Sequence, residues 1–192
     1  MSGREAVLVQ LCLALLACRD GRRDANDAGT GADARQSAAD SGTAATRVSA
    51  SMRNAKGQDL GVLTLTQAGQ GVAVSGRLTG LPPGEHAIHL HTTGSCEAPK
   101  FESAGGHWNP TNRQHGTGSP QGPHLGDLPN ITVGRDSTVT VDVTTPGGTF
   151  RNQNALLDTD GAAVVIHAKL DDYKSQPSGN SGDRIACGIV GA

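Results

Sequence analysis

The sequence predicts an all-β domain, an antiparallel Greek-key β-sandwich or barrel of about eight strands with two long functional loops. Three observations carry that expectation. Short apolar runs recur with a period of two, no segment shows a helical period, and 27 glycines punctuate the 192 residues. Aromatic residues make up only 2% of the chain, so the core must be built from Val, Leu, Ile and Ala.

The first eighteen residues are set aside before any fold reasoning. A short polar start, "MSGRE", precedes the apolar run "AVLVQLCLALLA", which is too short to cross a bilayer comfortably and has the size of a signal-peptide core. The run ends in "LLAC", Leu15 to Cys18, which resembles the bacterial lipobox. Export to the periplasm with lipidation at Cys18 is therefore expected, the alternative being an ordinary signal peptide with an incidental cysteine. Residues 19–46 hold no large aliphatic or aromatic side chain and cannot bury enough apolar surface to offset their ordering entropy. They read as a flexible linker, so residues 47–192 remain as one folded domain.

Within that domain the expected strands are 62–66 "VLTLT", 72–78 "VAVSGRL", 86–91 "HAIHLH", 138–143 "TVTVDV", 162–168 "AAVVIHA" and 185–190 "IACGIV". Turn clusters such as "AGQG", "LPPG" and "TPGG" separate them. Residues 92–130 and 171–183 are the two long loops, polar and rich in Gly, Pro and Asn, and loops of that length are uncommon unless they carry function. The formal net charge is −2 and the only basic cluster is as short as "RDGRR", so no nucleic-acid partner is expected. Membrane contact is expected through the lipid anchor alone.

Cys12 and Cys18 belong to the export segment, which leaves Cys96 and Cys187 in the folded domain. In an oxidising compartment these two should pair, tying the start of the long loop to the last strand; two buried thiols are the alternative.

Six of the seven histidines lie between 86 and 124, and the seventh is His167. Alternation along a strand puts His89 and His91 on one face and Ile88 and Leu90 on the other. The first loop adds His107, His115 and His124, with Asp127 three residues after the last. A lone histidine is ordinarily structural, but this clustering indicates metal ligation. His89, His91, His107, His115, His124, Asp127 and His167 are seven candidates, whereas two four-coordinate ions need eight positions, so one shared ligand closes the count. An all-imidazole set suits copper, and three imidazoles with a carboxylate suit zinc. Spacing alone leaves the shared residue open.

The motifs "HLH", "GGHWNP", "RQHG", "PHLGDLPN", "GAAVVIHAKLDDY" and "SGNSGDRIACGIV" together resemble the copper/zinc superoxide dismutase family, in particular its exported bacterial members, over residues 48–192. The resemblance implies an oxidoreductase that converts superoxide, its substrate, to oxygen and hydrogen peroxide, with one copper and one zinc per chain. It assigns His89, His91 and His167 to copper, His107 to the bridge, and His115, His124 and Asp127 to zinc. It further implies that Asp171, or its neighbour Asp172, links a copper histidine to a zinc histidine, that Arg184 holds superoxide, that Cys96 and Cys187 form the family disulfide, and that His86 is structural. His107 would double as proton donor. Thr92 stands where many relatives carry Glu, and the loop "DDYKSQPSGNSGD" offers Lys174 but few other cations, so weaker electrostatic steering is expected. Monomer and homodimer are both open. A metal-sequestering protein without turnover and an inert tethered interaction domain are the competing classes; the first conflicts with retention of Arg184 and all copper histidines, the second leaves the histidines unexplained.

Overall fold

The computed structural model describes residues 47–151 and 153–191. The expected signal peptide, Cys18 and the linker lie outside the described residues. Regular structure consists of β1 (Arg47–Asn54), β2 (Asp59–Ala68), β3 (Gly71–Thr79), β4 (Gly84–His86), β5 (Ile88–His91), β6 (Ile131–Val133), β7 (Thr138–Thr144), β8 (Ala163–His167) and β9 (Arg184–Ile189). One turn of 3₁₀ helix, Glu102–Ala104, is the only helical element among the described residues.

Seven strands pair in the order β5-β8-β9-β1-β2-β3-β7, and β4 pairs with β6. All these pairings are antiparallel. The non-sequential neighbours β5–β8, β9–β1 and β3–β7 are crossovers of Greek-key type. The turn between β6 and β7 closes on Gly134 N–H to Thr138 O at 2.8 Å. Since β4 runs into β5 and β6 lies against β7, the small sheet joins the two edges of the curled large one.

The expected single strand 86–91 is therefore two. Ala87 leaves both ladders: its N–H donates to Lys169 O and its carbonyl accepts from His167 N, each at 2.9 Å. His86 falls in one sheet and His89 in the other, although the side-chain pattern runs through without a break. Two strands were not expected. In β1, "RVSASMRN", alternation with Ala and Ser gives weak hydrophobic contrast, and β6 is three residues long.

Alternating inward residues of the strands, among them Met52, Leu63, Leu65, Val74, Leu78, Ile88, Leu90, Val141, Val164 and Ile166, form the main core. A second cluster lies on the other face of β8 and β9, where Phe101 and Ala104 cover Ala163, Val165 and Cys187. Strand β8 is thus buried on both faces, which is why "AVVIH" reads as a continuous apolar run. Cys96 and Cys187 form a disulfide with Cα atoms 5.7 Å apart, as expected, and it fastens the covering loop to β9.

Candidate metal centre

On β5, Ile88 and Leu90 enter the main core while His89 and His91 stand on the opposite face, all four with no exposed surface. The long loop then returns twice beside this strand. Trp108 N–H donates to Leu90 O at 2.8 Å, Leu90 N–H to Gly126 O at 2.9 Å, and Gly126 N–H to Trp108 O at 2.8 Å. These bonds set His107 opposite His91 and Asp127 opposite His89. His167 arrives from the end of the neighbouring β8, and His115 and His124 from the loop between the two returns.

Two cages result, and His107 is in both. The ligand atoms of His89, His91, His107 and His167 lie within 4.8 Å of one another, as do those of His107, His115, His124 and Asp127, and every member is buried. In the first cage each ring has one nitrogen held from outside. His89 Nε2 lies 2.8 Å from Asp171 Oδ2, His91 Nδ1 3.0 Å from Gly105 O, His107 Nδ1 2.8 Å from Asp127 Oδ1 and His167 Nδ1 3.2 Å from Gly182 O. The other four nitrogens, His89 Nδ1, His91 Nε2, His107 Nε2 and His167 Nε2, are buried with no hydrogen-bond partner. Carbonyl and carboxylate acceptors require N–H on the outer nitrogens of His89, His91 and His167, so their inner nitrogens bear lone pairs. Converging nitrogen lone pairs without donors are costly to bury unless an ion accepts them, and an all-nitrogen set fits copper.

In the second cage, Asp127 Oδ1 lies 2.8, 3.0 and 3.2 Å from Nδ1 of His107, His115 and His124. The other carboxylate oxygen accepts the backbone N–H of Gly116 at 2.8 Å and of His124 at 2.9 Å, which fixes its orientation. One carboxylate oxygen with three imidazole nitrogens is a donor set that fits tetrahedral zinc.

Asp171 spans the two cages. Its Oδ2 meets His89 Nε2 at 2.8 Å and its Oδ1 meets His115 Nε2 at 2.9 Å. Asn130 clasps its backbone from both sides, donating Nδ2 to Asp171 O and accepting Asp171 N–H, while Tyr173 N–H reaches Oδ1 at 2.6 Å. Asp172, the alternative, is exposed and accepts from Lys174 and Ser175 N–H instead.

The electrostatics of the protein without metal follow from these contacts. Burial, opposed by the hydrogen bond to Asp127, lowers His107 to about 4; burial and the nearby His89 lower His167 to about 3. Burial also keeps His91 well below its ordinary value. His115 goes the other way, since burial is outweighed by bonds to Asp127 and Asp171 that raise it to about 9. Despite their burial, Asp127 and Asp171 are held well below the usual carboxylate range by their histidine donors.

Arg184 is half-buried, and its guanidinium donates Nη1 to Phe101 O at 2.6 Å and Nη2 to Gly105 O at 2.7 Å. Gly105 O therefore serves both Arg184 and His91. His86 takes no part in either cage; its ring nitrogens lie 2.8 Å from His167 O and 2.8 Å from Pro82 O, tying β4 to the end of β8. Sequence reasoning missed the acceptors Phe101, Gly105 and Gly182, because a backbone carbonyl has no side-chain signature. Asn130 sat inside a noted motif without a role.

The sequence model described as copper/zinc superoxide dismutase matches residues 60–190. The chain is 45% identical over 140 residues to superoxide dismutase (Cu-Zn) 1 of Aquifex aeolicus, covering 71% of this chain and 83% of that protein. It is 41% identical over 138 residues to superoxide dismutase (Cu-Zn) of Caulobacter vibrioides, with 70% and 79% covered. Among solved structures it is similar to a SOD-like protein from Bacillus subtilis, with 39% identity, a TM-score of 0.70, and 73% of this chain and 96% of that one covered.

Proposed function

The chain belongs to the copper/zinc superoxide dismutase family, and from that membership we propose that it is an oxidoreductase converting superoxide to oxygen and hydrogen peroxide, with copper in the all-histidine cage and zinc in the cage of Asp127. The observation that carries the assignment is His107, whose Nε2 faces three other unpartnered imidazole nitrogens while its Nδ1 faces Asp127. Copper, when bound, supplies the Cu(II)/Cu(I) couple that accepts an electron from one superoxide and returns it to a second; zinc, without redox chemistry, supplies charge and geometry.

The protein's part is to bind, orient and deliver protons. The Arg184 guanidinium attracts the small anion and holds it beside the first cage, aimed by the carbonyls of Phe101 and Gly105. His107 Nε2 carries a proton to the departing peroxide, and the rest of its ring stays fixed through Asp127. Asp171 keeps His89 and His115 in the tautomer and orientation their roles demand. Export, the tether and the lipid at Cys18 would place this activity in the periplasm on the bacterial envelope, where it protects the envelope from superoxide.

Cyanide-sensitive superoxide consumption by the purified chain loaded with copper and zinc tests the reading. Two metals per chain are expected, with copper lost in a His89→Ala, His167→Ala variant. Stoichiometric metal binding without turnover would leave a sequestering protein instead.

A further inference from the structure

Trp108, the only tryptophan in the chain, directly follows the histidine that faces both cages. Its backbone is held from two sides, by Leu90 O and by Gly126 N–H, each at 2.8 Å. Its indole runs into the main core with 4% of the residue exposed, and Nε1 donates to Ala155 O at 3.2 Å. The Cη2 corner of the six-membered ring abuts Gly148, where φ is +93°; a Cβ there would overlap Cη2 and stand 2.9 Å from Cζ2 and from Cζ3. Glycine at 148 is thus required twice, by the backbone angle and by the ring.

Gly148 and Ala155 belong to the connection between β7 and β8, which was not expected to bear on the site. That connection folds back on itself through Leu156 N–H to Thr149 O at 2.7 Å and Leu157 N–H to Phe150 O at 3.0 Å. Gln67 of β2 fastens it, donating Nε2 to Gly148 O at 3.3 Å and accepting Phe150 N–H at 3.0 Å. The seat for the indole is therefore anchored to the barrel rather than to the metal-site loop.

We infer that Trp108 is a positioning residue for His107: the indole, locked between Gly148 and the Ala155 carbonyl, sets where the 107–108 peptide lies and so how the imidazole stands between the two cages. The inference rests on the assignment of His107 as the shared ligand. Because the backbone N–H and carbonyl of Trp108 are pinned to Leu90 and Gly126 and the side chain is wedged at its far end, displacing the indole pulls on the backbone that carries His107. Outer groups that orient ligands change metal affinity by about 10- to 100-fold when removed, and a comparable loss is expected here.

A double-mutant cycle on the full chain separates positioning from packing. Gly148→Ala drives a methyl into the ring, whereas Trp108→Phe removes the ring atoms it would strike. Gly148→Ala should weaken zinc and copper binding about 10- to 100-fold and shift the visible copper band. Trp108→Phe alone gives up the bond to Ala155 and the seat on Gly148 and should weaken binding by a smaller factor, and adding it to Gly148→Ala should bring binding and band back to that level. If the loss in Gly148→Ala persists in the double variant, backbone strain explains it and the positioning role is wrong. Should Gly148→Ala fail to fold, Trp108→Leu empties the seat without touching the glycine. A shifted copper band is then expected, and an unshifted band with lowered stability would reduce Trp108 to core packing. His107→Ala serves as the separate control: an unaltered copper band in that variant would defeat the shared-ligand assignment, whatever the cycle shows.

Discussion

Arg184 stands directly across the β8–β9 ladder from His167. The register slips by one residue between Ile166 and His167; without the slip, Ile185 would face the histidine. Such a bulge re-aims a side chain at the rim of a sheet. Here it delivers a guanidinium next to the all-histidine cage, and the carbonyls of Phe101 and Gly105 then fix its direction.

Arg184→Ile should leave both metals bound while lowering the rate constant for superoxide about tenfold or more, and Arg184→Glu should lower it further. Added salt should slow the wild type more than either variant, because screening removes an attraction they lack. Stopped-flow rates at several ionic strengths check this. Wild-type rate and salt dependence in Arg184→Glu would end the steering role.

Asp171→Asn keeps the shape of the link but replaces an acceptor that serves His89 and His115 together. Zinc affinity should fall about 10- to 100-fold in chelator competition, with the β-fold intact by circular dichroism. Equal loss in Asp172→Asn would show that the effect is not specific to the buried carboxylate.

The metal-stripped chain should be most stable near neutrality. His107 and His167, lowered to about 4 and about 3 from 6.5, refuse protons that the unfolded chain accepts, so stability falls as pH drops below 6.5. His115, raised to about 9, contributes stability that is whole below 6.5 and is lost as pH climbs through its folded value. Urea midpoints across this range should trace both limbs, and His115→Gln should remove the alkaline one. A midpoint in the metal-free wild type that keeps rising to pH 9 would contradict the pairing of His115 with Asp127 and Asp171.

The Cys96–Cys187 bond joins residues 91 apart, and closing a loop of that length stabilises by about 4 to 5 kcal/mol as an upper value. Cys96→Ser with Cys187→Ser should lose a large part of that in denaturant titration. It should also loosen the loop whose Phe101 and Gly105 carbonyls receive Arg184, so the rate should drop at unchanged copper content.

Cys18→Ala should move the protein from the membrane to the soluble fraction. Labelled palmitate should enter the wild type and not the variant; absence of label from the wild type would replace anchoring with simple secretion.

From the sequence alone, the all-β class, the seven candidate ligands and the disulfide partners could be read, because each depends on order along the chain, while their division into a copper and a zinc group came from the family resemblance. A period of two puts His89 and His91 on one face beside an apolar Ile88 and Leu90, and no folding is needed to see it. Setting aside Cys12 and Cys18, which fall in the segment expected to direct export, leaves one pair. What tertiary structure decided is everything set by main-chain contacts between distant segments. Ala87 breaks a pattern that runs on in its side chains, since its hydrogen bonds go to Lys169 and His167 and not to a neighbouring strand. Asp171 rather than Asp172 meets the histidines because Asn130, more than forty positions upstream, clasps its backbone. His107 becomes the common member of both cages because its loop pairs with Leu90 on one side and Gly126 on the other. Backbone amides and carbonyls are the same at every residue, so a sequence carries no mark of which of them will meet; the partners are chosen only when the β-barrel closes and the loops are packed against it.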